Sequence, residues 1–149
     1  MDDIIALLPK PSAESAPFWE ACDRDELRLQ RCARGGHLFY YPRLNCPICG
    51  DRELRWETCA GTGTVFSFSH VHVSFHGPKW ESQLPYTVIL VDLDEGPRLL
   101  SRLVGADRDD VRIGDRVIVH FATFEGHKLP FFQRAAASHT RPVIPMSGS

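Results

Sequence analysis

The chain has 149 residues, of which 43% are hydrophobic and 24% charged, as expected for one globular domain with a small appendage. Seventeen basic and nineteen acidic side chains leave a formal net charge of −2, which argues against a partner held mainly by phosphate neutralisation. No apolar run approaches the roughly 20 residues that span a bilayer. The acidic N-terminus lacks the basic segment of a signal peptide, so we expect a cytoplasmic protein.

The first segment, residues 1–28, is interpreted as a loosely held leader followed by one short helix. We expect Ser15 to be the helix N-cap, with a proline two residues later. Three apolar residues share one face at helical spacing, namely Phe18, Trp19 and Cys22. We therefore expect this helix to dock on an apolar surface.

The next segment, residues 29–60, contains most of a zinc-ribbon motif. Two short strand-like runs, "ELRLQRC" and "HLFYYPRL", come first, and the second thiol pair lies beyond them. A tetrahedral zinc site uses four soft ligands, commonly two C-x2-C knuckles about 10–20 residues apart. Cys46 and Cys49 form one complete knuckle. The other half keeps Cys32, but Gly35 stands where the matching thiol belongs, so one ligand is missing.

Three interpretations of this motif stay open. His37 supplies the fourth ligand of a Cys3His site, or zinc is held by three thiolates with water or Cys59. Alternatively the metal has been lost, and packing of hydrophobic side chains maintains the hairpin, namely Leu38, Phe39, Tyr40 and Tyr41. In each case we expect a structural site, because nothing nearby resembles an activated water with a positioned general base.

Residues 61–134 read as all-β. The run "GTVFSFSHVHVSF" alternates, which predicts a strand with two distinct faces. One predicted face carries Val65, Ser67, Ser69, Val71 and Val73, and the other carries Phe66, Phe68, His70, His72 and Ser74. Residues 76–85 predict a loop, and four more strands follow. The spacing predicts a small Greek-key barrel of the OB type, followed by a flexible tail over 135–149.

The sequence leaves more than one interpretation open for the histidines and the loop aromatics of this barrel. His70 and His72 would lie about 7 Å apart on one strand face, with His76 beyond them. No nearby carboxylate orients their rings, so we interpret them as surface or interface histidines, with ligand contact and catalysis as alternatives. Phe75 and Trp80 would either stack on an adenine ring or cap the barrel end. The remaining thiols, on Cys22 and Cys59, read as small buried apolar groups.

Five stretches follow one another in a recognisable order: "APFWEACDRDELRLQRC", "FYYPRLNCPICG", "GTGTVFSFSHVHVSFH", "LPYTVILVDLDEGPRLLSRLVG" and "VRIGDRVIVHF". Together they resemble the bacterial and archaeal Zn-ribbon OB-fold proteins, a family first catalogued as a domain of unknown function. The resemblance covers about residues 15–134. It implies a mainly β fold with an N-terminal helix, a rubredoxin-like zinc ribbon and a C-terminal OB-fold barrel.

The resemblance also implies a function. Members are commonly accessory subunits of acyl-CoA enzymes: thiolases, lipid-transfer-protein-like aldolases, hydratases and acetyltransferases. The catalytic residues normally lie in the partner, which agrees with the lack of a nucleophile elbow or phosphate-binding loop in this sequence. The family's metal thiols fall on Cys32, Cys46 and Cys49, with Gly35 at the fourth position.

We therefore expect a non-catalytic accessory subunit of a thiolase-like acyl-CoA complex that forms or cleaves a carbon–carbon bond. It would help to hold the coenzyme A ester. The resemblance also implies Zn2+, but Gly35 replaces one ligand, so the three interpretations of the metal site stay open. The residues expected to bind coenzyme A or the partner are Phe75, His76, Lys79, Trp80 and Arg43, with Arg31 and Arg34 as further phosphate contacts. Alternatives are a nucleic-acid-binding module, a subunit of a hydratase or acetyltransferase complex, and an independent acyl-CoA hydrolase or hydratase.

Overall fold

A computed structural model describes residues 10–75, 77–124 and 126–135 of the chain. Helix α1 (Ala16–Asp23) leads into a three-stranded sheet and then a closed five-stranded barrel. The sheet strands are β1 (Leu27–Cys32), β2 (Leu38–Phe39) and β3 (Leu54–Cys59). The barrel strands are β4 (Thr62–Val71), β5 (Tyr86–Leu93), β6 (Arg98–Val104), β7 (Arg116–Phe124) and β8 (His127–Arg134). Two short helices complete the fold, α2 (Pro78–Glu81) and a 3-10 turn (Arg108–Asp110).

The mainly β architecture predicted from the sequence is confirmed. The small sheet has the order β2-β1-β3, and both pairings are antiparallel. Strand β3 was missed in the sequence because its charged residues hide the alternation; its backbone pairs with β1 over six positions, from Leu27 with Cys59 to Cys32 with Leu54. Strand β2 is only two residues long, so most of the predicted second run lies outside the sheet.

The barrel has the strand order β4-β5-β6-β8-β7, and β7 pairs with β4 to close it. Strands β6 and β8 pair in parallel, with Leu103 opposite Phe132, while the other neighbours are antiparallel. The two closing contacts are short: β4 pairs with β7 over Thr62–Thr64, and β6 pairs with β8 over Leu103 and Val104. The OB-type prediction is therefore confirmed.

The predicted faces of the first barrel strand are wrong beyond its fourth residue. The register of β4 against β5 shifts between Val65 and Ser67, so Phe66 forms a bulge that adds one residue to β4. Directly paired residues of an antiparallel sheet point to the same side. Phe68 pairs with the buried Ile89, so it faces the barrel interior, the side that Val65 also faces. The sequence pattern had put Val65 and Phe68 on opposite faces.

One hydrophobic core joins helix, sheet and barrel. Phe18 and Cys22 on α1 are buried against Leu27 and Leu29 of β1, and Cys59 of β3 belongs to the same cluster. The predicted docking of the helix and the burial of both cysteines are thus confirmed. The barrel contributes most of the remaining members, namely Val65, Ile89, Val91, Leu93, Leu99, Leu103, Val111, Val117 and Phe132. Each large side chain buried in this way contributes about 1.5–3 kcal/mol to folding.

The segment 76–85, predicted to be a loop, contains the single turn of helix α2. Pro78 begins this helix, where its missing N–H costs nothing. The predicted leader and tail fall largely on residues 1–9 and 136–149, which lie outside the described residues, and the division at 28, 60 and 134 stays a prediction. No helix in the described part of the chain is long and apolar enough to cross a membrane.

Candidate metal centre and surrounding surfaces

The first half of the candidate metal centre is a tight turn at the end of β1. The backbone N–H of Cys32 donates to the carbonyl of His37 (3.0 Å), and the N–H of Gly36 donates to the carbonyl of Cys32 (3.0 Å). Gly36 has a φ of 70°, a left-handed conformation that glycine adopts without strain. This turn brings the side chains of Cys32 and His37 to the same point.

The second half is the knuckle that begins at Cys46. The N–H of Gly50 donates to the carbonyl of Cys46 (2.9 Å), and the N–H of Cys46 donates to the carbonyl of Asp51 (2.9 Å). The buried carboxylate of Asp51 accepts backbone N–H groups from Arg34 (2.9 Å) and Glu53 (3.0 Å). These hydrogen bonds lower the pKa of Asp51, and they tie the two halves of the ribbon together.

Four potential ligands converge where the two halves meet. One ligand atom each from Cys32, His37, Cys46 and Cys49 lies within 4.8 Å of all the others. The Nδ1 of His37 is 3.3 Å from the Sγ of Cys32 and 3.7 Å from the Sγ of Cys46, and the thiols of Cys32 and Cys49 are 3.7 Å apart. In a tetrahedral zinc site, Zn–S near 2.3 Å and Zn–N near 2.0–2.1 Å imply edges of about 3.6–3.8 Å. This donor set therefore fits zinc.

His37 takes the place that the missing thiol would have filled. A Cβ built on Gly35 would lie 2.5 Å from Cε1 and 2.8 Å from Nδ1 of His37. A side chain at residue 35 and the observed imidazole cannot occupy the same space. The geometry favours the Cys3His interpretation among those that the sequence left open.

The cysteines of the centre differ in their ease of ionisation. Burial of Cys32 opposes its ionisation, but hydrogen bonds from the backbone N–H groups of His37 and Gly35, together with those from the side chains of His37 and Cys49, lower its pKa to about 6. Although a backbone N–H of Asp51 favours the thiolate of Cys49, burial and the neighbouring thiols of Cys46 and Cys32 raise its pKa. A low thiol pKa is typical of a thiolate ready to bind a metal.

Two details of the alternative interpretations are wrong. Cys59 lies in the main core instead of near the other thiols, and burial raises the pKa of its thiol to about 11, so it cannot complete the site. The aromatic hairpin is also not one packed unit. Phe39 covers Cys32 and Cys46, whereas Tyr40 packs against the main core and Tyr41 is exposed.

The two strand histidines lie in different environments. His70 pairs with the buried Thr87 on β5, and its Nδ1 lies 2.8 Å from the Thr87 hydroxyl oxygen. His70 thus faces the interior side of β4, contrary to the surface position that we expected, because the bulge at Phe66 moves it there. His72 lies beyond the end of β4 and is exposed.

The loop aromatics also differ from one another. Phe75 is 93% exposed. Trp80 is partly buried, with its ring 6.1 Å from that of Tyr86 and 6.0 Å from that of Phe124. Trp80 therefore packs against the barrel, whereas the ring of Phe75 is exposed to solvent. His76 and the side chain of Lys79 lie outside the described residues.

The arginines expected to contact coenzyme A also differ in whether their side chains are exposed or engaged within the chain. Arg43 has an exposed side chain, while its backbone N–H and carbonyl are held by the side-chain amide of Gln30 at 2.7 and 2.9 Å. Arg31 instead makes a two-point ion pair with Glu57 (2.7 and 2.8 Å) and donates to the carbonyl of Gly36 (2.6 Å). Arg31 is thus a structural residue of the ribbon, and its expected contact with phosphate is not supported.

The ribbon carries an exposed apolar tip that the sequence interpretation missed. We call this surface the ribbon tip and define it by Tyr41, Leu44 and Ile48, which are 52%, 68% and 66% exposed. Leu44 precedes the second knuckle and Ile48 lies between its two thiols, and this placement of apolar residues was the available signal. Grouped exposed apolar residues on a soluble domain commonly mark an interaction surface.

Family models match both parts of the chain. The ChsH2 rubredoxin-like zinc ribbon domain matches residues 19–55, and the ChsH2 C-terminal OB-fold domain matches residues 56–122. The chain is 31% identical over 66% of its length to a DUF35 domain-containing scaffold protein of Methanothermobacter thermautotrophicus, and it covers 73% of that protein.

Two further similarities involve enzymes. The chain is 36% identical over 97% of its length to the probable enoyl-CoA hydratase alpha subunit of Thermomonospora curvata, but it spans only 43% of that protein. It also superposes on a chain of the solved Ltp2-ChsH2(DUF35) aldolase with a TM-score of 0.74 and 35% identity. That match covers 85% of this chain and 98% of the aldolase chain.

Proposed function

This chain belongs to the DUF35 family of ChsH2-type zinc-ribbon and OB-fold proteins, and we propose that it is a non-catalytic accessory subunit of an acyl-CoA enzyme complex. The observation that carries the proposal is its similarity to 98% of a chain from an aldolase that is named for two components. In this role the chain binds a catalytic partner and helps to position the acyl-CoA ester.

The proposed partner is a thiolase-like or lipid-transfer-protein-like catalytic subunit that cleaves or forms a carbon–carbon bond. The aldolase similarity supports this choice. A hydratase partner is the second candidate, because the Thermomonospora curvata relative is named as a hydratase alpha subunit. Both candidates give this chain the same role and differ in the reaction of the partner.

The ribbon tip is the proposed docking surface for the partner. Tyr41, Leu44 and Ile48 expose apolar side chains to solvent, and burying them against another protein would be favourable by about 25 cal/mol for each Å2 removed from water. The knuckle beneath them is fixed by the hydrogen bonds of Asp51 and by the four converging ligands. A rigid apolar surface loses little entropy on binding.

The loop around Phe75 is the proposed contact for the coenzyme A ester. Phe75 is a fully solvated aromatic ring that can stack on an adenine. His76 and Lys79 belong to the same loop by sequence, and Arg43 offers an exposed cation on the ribbon. Trp80 is proposed to support this loop from below, because its ring packs against the barrel.

We further propose that Cys32, His37, Cys46 and Cys49 hold a structural zinc ion. Zinc would supply four fixed bonds that cross-link the two halves of the ribbon. The surrounding cluster is small, with Phe39 and Leu54 packed on Cys32 and Cys46. A core this small buries too little apolar surface to stay ordered by packing alone, and a bound metal would supply the missing stabilisation.

A nucleic-acid-binding role finds less support in the described residues. Several arginines of the barrel are neutralised within the chain: Arg98 pairs with Asp92, Arg116 with Asp94 and Arg134 with Asp115. An interface for nucleic acid would need unpaired cations along one face. The exposed apolar ribbon tip fits a protein partner better than a phosphate backbone.

Complex formation tests the docking surface. The chain is co-expressed with a thiolase-like or hydratase catalytic subunit from the same organism, and the complex is isolated through a tag on the catalytic subunit. We expect Leu44→Asp combined with Ile48→Asp to abolish co-elution. Ile113→Asp is the matched control, because Ile113 is a 70% exposed apolar residue in the turn before β7, away from the ribbon in the chain. Equal retention of both variants in the complex would rule out the ribbon tip as the interface.

A further inference from the structure

Arg102 on β6 lies within a cage of aromatic rings. Its guanidinium carbon is 4.4 Å from the ring centre of Tyr86, with three further rings between 5.4 and 5.8 Å away, namely Phe131, Phe124 and Trp80. These rings come from four different elements, so only the folded chain assembles the cage. Planar guanidinium groups stack well on aromatic faces, and the cage fixes the direction of the Arg102 side chain.

The charge of Arg102 has no carboxylate partner among the described residues. Its one hydrogen bond is a long contact of 3.4 Å from Nη1 to the amide oxygen of Gln83. Burial and then the positive charge of Arg108 lower the pKa of Arg102, although Tyr86 acts in the opposite direction. A partly buried cation without a counter-ion is unusual, because desolvation of a charge is costly unless the charge is paired. The other arginines of the barrel strands, by contrast, form ion pairs with carboxylates, namely Arg98, Arg116 and Arg134.

A surface pocket of about 170 Å3 opens beside this cation. Among the residues that the structure describes, its lining consists of Arg102 and Arg108 together with Gln83, Pro85, Tyr86, Leu103, Val104 and Gly105, none of which is acidic. Arg108 is oriented by donating to the backbone carbonyls of Gly105 (3.1 Å) and Pro85 (3.5 Å). The nearby Asp107 interacts with Arg134, while Asp109 and Asp110 are exposed and do not line the pocket.

We propose that the pocket between Arg102 and Arg108 is an oxyanion site that binds a phosphoryl group. Two guanidinium groups match the two negative charges of a phosphate dianion, and their N–H donors suit its oxygens. The pocket is smaller than the roughly 300–1,000 Å3 that drug-sized ligands occupy. It therefore holds inorganic phosphate or the terminal phosphoryl group of a larger ligand, not a whole nucleotide.

The proposed site does not depend on the accessory-subunit role, because the residues that line the pocket belong to this chain and need no partner. The experiment therefore uses the chain alone. Arginine Nε–Hε resonances are followed by NMR while inorganic phosphate, adenosine 5′-diphosphate or acetate is added at constant ionic strength. We expect the signals of Arg102 and Arg108 to shift saturably with at least one phosphate compound, and only weakly with acetate.

Variants distinguish specific binding in the pocket from general electrostatic attraction. We expect Arg108→Gln to weaken phosphate binding at least tenfold, and Arg102→Lys, which keeps the charge but loses the planar fork, to weaken it several-fold. The control Arg112→Gln removes one exposed positive charge nearby and should leave binding unchanged. Thermal melting checks that each variant is folded; should Arg102→Lys unfold, the comparison of Arg108→Gln with Arg112→Gln decides the matter.

Saturation by inorganic phosphate identifies a free phosphate site, and saturation by adenosine 5′-diphosphate alone identifies a phosphoryl group carried by a nucleotide. Either result supports the proposal. The proposal is overturned if neither arginine signal shifts saturably, if acetate competes as well as phosphate, or if Arg108→Gln and Arg112→Gln weaken binding equally.

Discussion

The imidazole of His37 lies in the space that a side chain at residue 35 would enter. A Cβ on Gly35 would come within 2.5 Å of the His37 ring. The glycine and the histidine therefore depend on each other: the absence of a side chain at 35 makes room for the ring, and the ring supplies a ligand atom near Cys32 and Cys46. This relationship explains how a ribbon with one thiol missing keeps four converging donors.

The exchange of ligands between these two positions can be tested directly. We expect His37→Ala to lose zinc on dialysis against a chelator that leaves the wild-type chain with about one zinc ion. The double variant Gly35→Cys with His37→Ala should regain the metal, because the new thiol enters the space that the ring leaves. Metal content per protein is the measurement. If His37→Ala retains zinc as firmly as the wild type, His37 is not a ligand.

Removal of the metal should loosen the ribbon and spare the barrel. The cluster of Cys32, Phe39 and Cys46 is separate from the main core, so we expect its order to depend on the proposed zinc ion. With a chelator present, we expect amide hydrogen exchange in residues 32–51 to accelerate by at least about a hundredfold, while β5 stays protected. A parallel loss of protection in β5 would show that the ribbon and barrel unfold as one unit.

Phe75 and Trp80 should respond differently to truncation. Trp80 packs against Tyr86 and Phe124, so we expect Trp80→Ala to lower the free energy of unfolding by about 1–3 kcal/mol, less than for a fully buried tryptophan. Phe75 is 93% exposed, and Phe75→Ala should leave stability unchanged. Urea denaturation of both variants gives the comparison, and an equal loss would contradict the observed packing.

The ion pair of Asp94 with Arg116 predicts a pH-dependent contribution to stability. Hydrogen bonds from Arg116 and Thr62 lower the pKa of Asp94 to about 2, below the value of about 3.9 in an unfolded chain. The stabilisation is therefore complete above about pH 4 and is lost as the pH falls towards 2. Both side chains are more than 40% exposed, so we expect only about 0.5–1 kcal/mol from the pair.

The variant Asp94→Asn should be less stable than wild type at pH 7 by this amount, and the difference should vanish near pH 2. Glu26→Gln is a control, because the Arg24–Glu26 contact is single and 3.5 Å long, and it should have no measurable effect. Urea denaturation at the two pH values gives the difference. A gap that persists at pH 2 would mean that the charge of Asp94 is not its cause.

The sequence predicted those elements whose pattern is local. The run "YTVILVDL" alternates without a break, and β5 spans the same residues, Tyr86–Leu93, with alternate side chains buried. The three thiols and His37 were also identified as candidate ligands from their spacing, and the fold brings them together. Helix α1 was visible because its apolar face is continuous.

Features that depend on distant partners were not predictable. The bulge at Phe66 follows from the register of β4 against β5, which the sequence of β4 alone does not contain. Strand β3 forms because its backbone pairs with one edge of β1, which is distant in the sequence. The cage around Arg102 draws its rings from four elements spread over residues 80–131, so no local motif announces it.

The most direct test of the central claim is reconstitution of acyl-CoA turnover from separately purified parts. We predict that the chain alone is inactive, that its catalytic partner alone is weakly active or unstable, and that the mixture restores turnover. The Leu44→Asp and Ile48→Asp double variant should fail to restore it, whereas Ile113→Asp should succeed. Turnover by the purified chain alone, or a mixture no more active than the partner, would contradict the role of accessory subunit.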